Sequence, residues 1–202
     1  MMRKYIISNC MKIVADNNPD LDKTKLDEIE YGLISIYILI TKLIIIFALA
    51  YILGIFKEVI IFSFIYAIIR TPSFGIHASK SWICLLVSSI VFIGMPYINL
   101  NITIPLTLKI ILGIISTLLI LKNSPADTHK RPIVNPKRRK IYKLISTFIA
   151  IAFTVISIII DNNFISNCLI SSLLIQCIII SPLTYKLFKM PYNNYKNYCI
   201  AQ

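Results

Sequence analysis

The chain has 202 residues, 57% of them hydrophobic and only 15% charged, with a mean hydropathy of +0.77. That composition excludes an ordinary soluble domain and leaves an all-α, polytopic membrane helix bundle. A net charge of +12 does not argue for a nucleic-acid partner here. The basic residues cluster between apolar runs, where they hold loops on the cytoplasmic side and meet anionic lipid headgroups.

At the N-terminal end, Met2, Tyr5, Ile6, Cys10, Ile13 and Val14 recur at helical spacing, with Arg3, Lys4, Ser8, Asn9 and Lys12 between them. This pattern predicts a basic amphipathic helix on the membrane surface, with packing against the protein's own core as the alternative. The polar breaks at Ser8, Asn9 and Lys12 do not fit a signal peptide. Residues 1–30 thus read as an interfacial segment, 31–185 as the transmembrane domain and 186–202 as a cytoplasmic tail.

A spanning helix needs about 20 apolar residues. Six candidates follow in order, at about 33–52, 55–69, 82–97, 102–121, 141–160 and 164–183, the second of them short. The stretches at 98–101 and 161–163 carry no Lys or Arg and are expected outside; 122–140 is strongly basic and is expected in the cytoplasm. Counting back places the 70–81 loop and both termini in the cytoplasm, with Lys57 the one residue that fits poorly. Lys42 falls mid-span, where a lysine costs about 2.5–3.5 kcal/mol on insertion scales, so it should face a bundle interior or a wet cavity and is a candidate substrate-binding residue. Lys109 lies nearer a helix end and is expected to snorkel.

The five cysteines are Cys10, Cys84, Cys168, Cys177 and Cys199. They form no Cys-x-x-Cys pair, no disulfide framework and no zinc spacing, so neither a metal nor a cofactor is expected. Reactive chemistry concentrates in one stretch, from Arg70, Thr71 and Pro72 through Gly75, Ile76 and His77 to Cys84. A cysteine is a strong nucleophile once ionised, and a histidine can take its proton. On a straight helix the two would stand about 10 Å apart, too far for a hydrogen bond of about 3 Å. Catalysis therefore requires the chain to break between them, with Cys84 in the first turn of the third span and His77 on a loop folded over it. Pro72, Gly75, Ser79 and Ser81 weaken the helix there. On spacing alone the pair also fits an interfacial histidine beside a core cysteine, and that reading stays open.

The flanking residues add a resemblance. Arg70, then Gly75-Ile76-His77-Ala78, then Cys84, together with Ser124-Pro125-Ala126-Asp127-Thr128 and Lys130-Arg131-Pro132-Ile133, resemble the accessory gene regulator B family. Tyr31-Gly32-Leu33 is a weaker match, and His129 departs from a loop that is more uniformly basic in the family. The resemblance implies a membrane cysteine endopeptidase that processes an AgrD-like quorum-sensing precursor peptide. Cys84 would be the nucleophile, His77 the general base, and Arg70 and Gly75 supporting residues. The product would be a thioester on the enzyme and then a cyclic thiolactone or lactone. The resemblance is also compatible with a homodimer. Lys130 and Arg131, with Lys137, Arg138, Arg139 and Lys140, could attract an acidic peptide tail, or serve only topology and lipid contact. Asp127 is a candidate to orient His77. Two other readings remain: a peptide transporter without a covalent step, suggested by Lys42, and a lipid-headgroup enzyme, suggested by the basic loop.

Overall fold

The computed structural model describes residues 2–19, 21–76, 81–128 and 132–195. Among the described residues eight helices follow one another in this order: α1 Met2–Asn17, α2 Lys23–Ile52, α3 Phe56–Ser73, α4 Ser81–Asn101, α5 Leu106–Asn123, α6 Pro136–Ile159, α7 Asn163–Ile180 and α8 Pro182–Leu187. Helices α2, α4, α5, α6 and α7 are long and apolar enough to cross a membrane. The expected short span corresponds to α3, whose 18 residues include Lys57, Glu58 and Arg70.

Two compact units divide the chain at Ile52 and Leu53. In the first, α1 packs along α2. The face that meets protein is not quite the predicted one: Ile7 is buried and Cys10, Met11 and Val14 are half-buried, while Tyr5, Ile6 and Ile13 are exposed. The amphipathic helix thus has apolar side chains on more than one face.

In the second unit α7 is the central element and packs against α3, α4, α5, α6 and α8. Its burial explains its composition. Ser166, Asn167, Ser171, Ser172 and Gln176 are all buried on an otherwise apolar helix, and polar groups removed from water need partners. At its N-terminal end Asn167 Nδ2 donates to the carbonyls of Asn99 (3.3 Å) and Ile102 (2.5 Å), which caps the end of α4. One turn on, the Asn99 side chain donates to Ser171 Oγ at 2.9 Å. Apolar contacts complete the packing, with Phe92 of α4 set edge-on to Phe62 and Tyr66 of α3.

Two details depart from the sequence expectations. Lys109 does not snorkel: it is 6% exposed and donates from Nζ to Ser166 Oγ at 2.7 Å, and that hydroxyl donates onward to the Ser157 carbonyl. A polar partner on the buried helix α7 draws the ammonium inward. Helix α3 does not stop at residue 69 but continues through Pro72 to Ser73, so Arg70 stands on its last turn rather than in a loop.

The Asn167→Leu substitution should remove the α4 cap and lower stability by about 1 kcal/mol, the usual scale of interhelical hydrogen bonds in membranes. Detergent-denaturant unfolding in mixed micelles reads this, and an unchanged midpoint would show that the cap contributes nothing.

Candidate active site

Helix α3 ends where its chain turns into the left-handed region. Phe74 has φ 57° and Gly75 has φ 118°. The carbonyls beyond the helix end face inward and would be left without partners. Arg70 supplies them. Its Nη1 donates to the Phe74 carbonyl, and its Nη2 donates to the carbonyls of Ile76 at 2.8 Å and Gly75 at 3.3 Å. One planar fork thereby holds three successive residues of the segment that leads to His77. Gln176 of α7 reaches the same Phe74 oxygen from the other side, with Nε2 at 2.8 Å.

Gly75 cannot be another residue without displacement. A Cβ built there would lie 2.5 Å from Arg70 Nη1, 2.7 Å from Ile179 Cγ2 and 3.2 Å from the Ile179 carbonyl. Its positive φ adds a second penalty for any L side chain.

The segment is also joined to the turn after α5. Gly75 N–H donates to the Ala126 carbonyl at 2.8 Å, and Ala126 N–H donates to the Ser73 carbonyl at 3.0 Å, making an isolated parallel bridge between Phe74 and Ala126. The two sequence stretches singled out by the motif pattern, around 70–77 and 124–133, are therefore in direct contact. The Phe74 ring packs edge-on against Tyr142 of α6 at 5.1 Å between centroids. Tyr185 of α8 is 1% exposed and its hydroxyl lies 3.1 Å from the Ala126 carbonyl and 3.0 Å from that of Asp127. Burial raises the Tyr185 hydroxyl well above the ordinary tyrosine range, against a smaller lowering by Arg70, so it remains a donor at neutral pH.

Cys84 is the fourth residue of α4, in the first helical turn as expected, and is half-buried. His77, Lys130 and Arg131 lie outside the described residues, as does His129. Lys42 is half-buried in the middle of α2, in the first unit. Asp127, the candidate partner of His77, has other partners: Oδ2 accepts from the Tyr195 N–H at 2.9 Å and faces Arg139 Nη1 at 3.5 Å. Arg139 also covers the Tyr195 ring at 3.5 Å from its centroid. It is thus engaged within the protein, whereas Lys137, Arg138 and Lys140 on the same helical turn are exposed. Sequence reasoning did not pick out Gln176, Tyr185 or Tyr195. Gln176 alone carried a signal, as an amide in an apolar helix.

The sequence is similar to those of known proteins of one family. The family model for accessory gene regulator B matches residues 7–180. An AgrB-like protein of Listeria innocua is 33% identical over 92% of this chain and 93% of its own length. One from Clostridium acetobutylicum is 29% identical over 94% of this chain and 90% of its own. Accessory gene regulator protein B of Staphylococcus carnosus is 31% identical over 72% of this chain and 75% of its own. No solved structure matches the chain.

Arg70→Lys replaces a three-carbonyl fork by a point donor. It should speed hydrogen exchange at the Gly75 and Ala126 amides about tenfold, a loss of about 1.4 kcal/mol. Unchanged protection would show that the guanidinium does not hold the loop.

Proposed function

The chain belongs to the accessory gene regulator B family, and from that premise we propose that it is a membrane cysteine endopeptidase of a quorum-sensing system, acting on an AgrD-like precursor peptide. The observation that carries this reading is the placement of Cys84, half-buried, in the first turn of α4, while Arg70 clamps the backbone of residues 74–76 that leads to His77.

In the proposed reaction His77 accepts the Cys84 proton, and the sulfur attacks the carbonyl at the junction between the signal segment and the acidic tail. The tetrahedral intermediate collapses as the C–N bond breaks, and His77 returns the proton to the departing amine. The signal segment is left as a thioester on Cys84. A thiol or hydroxyl within the peptide then attacks that carbonyl, its proton passing to His77, and Cys84 leaves as the ring closes and takes that proton back from His77. A thioester conserves the activation of the acyl group, so closure to a thiolactone lies near balance provided that water is kept out. The half-buried setting of Cys84 suits that requirement.

The basic stretch suits an acidic tail. Lys137, Arg138 and Lys140 are exposed at the start of α6, and Lys130 and Arg131 are the further residues assigned to tail recognition. Lys42 is retained as a candidate cavity residue because of its place in the middle of an apolar helix. The charge pattern favours a cytoplasmic location for this end of the bundle and for both termini, where the thiol stays reduced.

The test is co-expression of the chain with a precursor bearing an amphipathic helix, an internal cysteine and an acidic tail. Tail release should fall to background with Cys84→Ala and with His77→Ala. Mass spectrometry should find an acyl adduct on Cys84 when the precursor's internal cysteine is replaced. Continued cleavage by Cys84→Ala would sink the proposed mechanism.

A further inference from the structure

We infer that Asp127 is a positioning residue for the active-site loop, and that it acts by anchoring the C-terminal segment at Asn194 and Tyr195 against that loop. This inference rests on the roles proposed above for His77 and Cys84.

Asp127 gathers contacts from several separate parts of the chain. Its carboxylate Oδ2 accepts from the N–H groups of Tyr195 (2.9 Å) and Ile133 (3.4 Å) and faces Arg139 of α6. Its backbone carbonyl is approached by the Tyr185 hydroxyl of α8 (3.0 Å) and by Asn194 Nδ2 (3.4 Å). Asn194 is 1% exposed, and the Tyr192 ring meets that of Tyr185 edge-on at 5.1 Å. The C-terminal segment is therefore seated on this turn through specific polar and aromatic contacts.

The neighbour of Asp127 transmits the constraint. Ala126 uses both its N–H and its C=O to hold Ser73 and Gly75. Asp127 cannot shift without dragging the strand-like bridge, and with it the chain that enters His77. Arg139, Tyr195 and Tyr185 all contact the residue from other parts of the chain.

The choice of a carboxylate is itself informative. Asp127 is 1% exposed, and among the described residues its Oδ1 has no hydrogen-bond partner; the same holds for Asn194 Oδ1 and Arg139 Nη1. Burying such groups is costly, and well-packed apolar residues commonly stabilise a fold as well or better. What apolar residues lack is direction. A carboxylate with fixed donors sets orientation, which is the property a two-residue catalytic pair needs.

The carboxylate also meets a local electrostatic demand. Helix α6 opens with Lys137, Arg138 and Arg139, cations at the end of a helix that already carries positive partial charge. Asn135 caps two of its amides, with Oδ1 accepting from Lys137 N at 2.9 Å and Arg138 N at 3.3 Å. Asp127 is the acid that faces Arg139 there.

The experiment uses the full-length chain in proteoliposomes with the precursor described above. Three variants are compared: Asp127→Asn, Tyr195→Pro, which deletes the N–H donor, and Tyr195→Ala, which keeps it. Two quantities are read, the kcat and KM of tail release and the rate of Cys84 alkylation by iodoacetamide at pH 7, followed by mass spectrometry on the Cys84 peptide. Asp127→Asn and Tyr195→Pro should lower kcat about 10- to 100-fold with KM within about twofold. Both should slow Cys84 alkylation toward the His77→Ala rate, while Tyr195→Ala keeps most of the activity. Wild-type kcat in both Asp127→Asn and Tyr195→Pro overturns the inference. So does a fall in kcat with unchanged Cys84 alkylation, or a failure of both variants to accumulate in the membrane, since either makes the contact a folding contact only. If Cys84→Ala still cleaves, the underlying reading has failed instead, and the two failures are told apart by that control.

Discussion

The Arg70 guanidinium sits at the point where a helix stops inside a largely apolar protein. A helix end leaves carbonyls without partners, and in a membrane protein water is not freely available to take them. The residues beyond α3 add to the demand by turning into the left-handed region at Phe74 and Gly75. Three of the resulting carbonyls are met by one side chain. This works because the guanidinium is planar, permanently charged and able to donate in several directions at once, which an ammonium is not. The glycine at 75, the bridge to Ala126 and the inward reach of Gln176 all follow from the path that this clamp holds.

Helix α7 complements the clamp by linking the two ends of the bundle. At one end Asn167 caps α4; at the other Gln176 holds the Phe74 carbonyl. Between them the serines of α7 are buried without disrupting the helix, because their hydroxyls can return to the backbone, as Ser171 and Ser172 do to Cys168 and Leu169. The polar residues of α7 are therefore concentrated where other helices begin or end. A purely apolar α7 would pack, but it would remove the Asn167 donor to the Ile102 carbonyl and leave the Phe74 carbonyl to Arg70 alone.

Much of this was legible in the chain, and the misses have common causes. Hydropathy located the spans, because bilayer thickness fixes the length of an apolar run. The motif stretches around Arg70 and Asp127 were recognisable as units, and the first-turn position of Cys84 followed from the geometric need to break the helix. The helix extension to Ser73 is hidden in the sequence because Pro72 reads as a stop. Proline removes one N–H, but the next capping bond, Phe74 N–H to the Arg70 carbonyl, still forms. Position near a helix end points to snorkelling for Lys109, because nothing local shows Ser166, 57 positions away. Gln176 and Tyr195 act on residues 102 and 68 positions distant, and no periodicity carries such information.

The distribution of irregular backbone argues for a division of labour between the ends of the bundle. Non-helical chain is tolerated near a membrane only where protein satisfies its polar groups. Here the turns after α3, α5 and α7 meet at one end, stitched to each other through Gly75, Ala126 and Tyr185. The opposite end uses simple caps, with Asn162 holding the start of α7 and Asn167 the end of α4. A fold needing only to span the membrane would gain nothing from assembling strained turns, a positive-φ glycine and a buried carboxylate in one place, since each is individually unfavourable. Local strain of this kind persists where the surroundings over-determine it. The half-buried thiol of Cys84 stands at the same end, and the thioester chemistry proposed for it would need restricted water and backbone that does not relax.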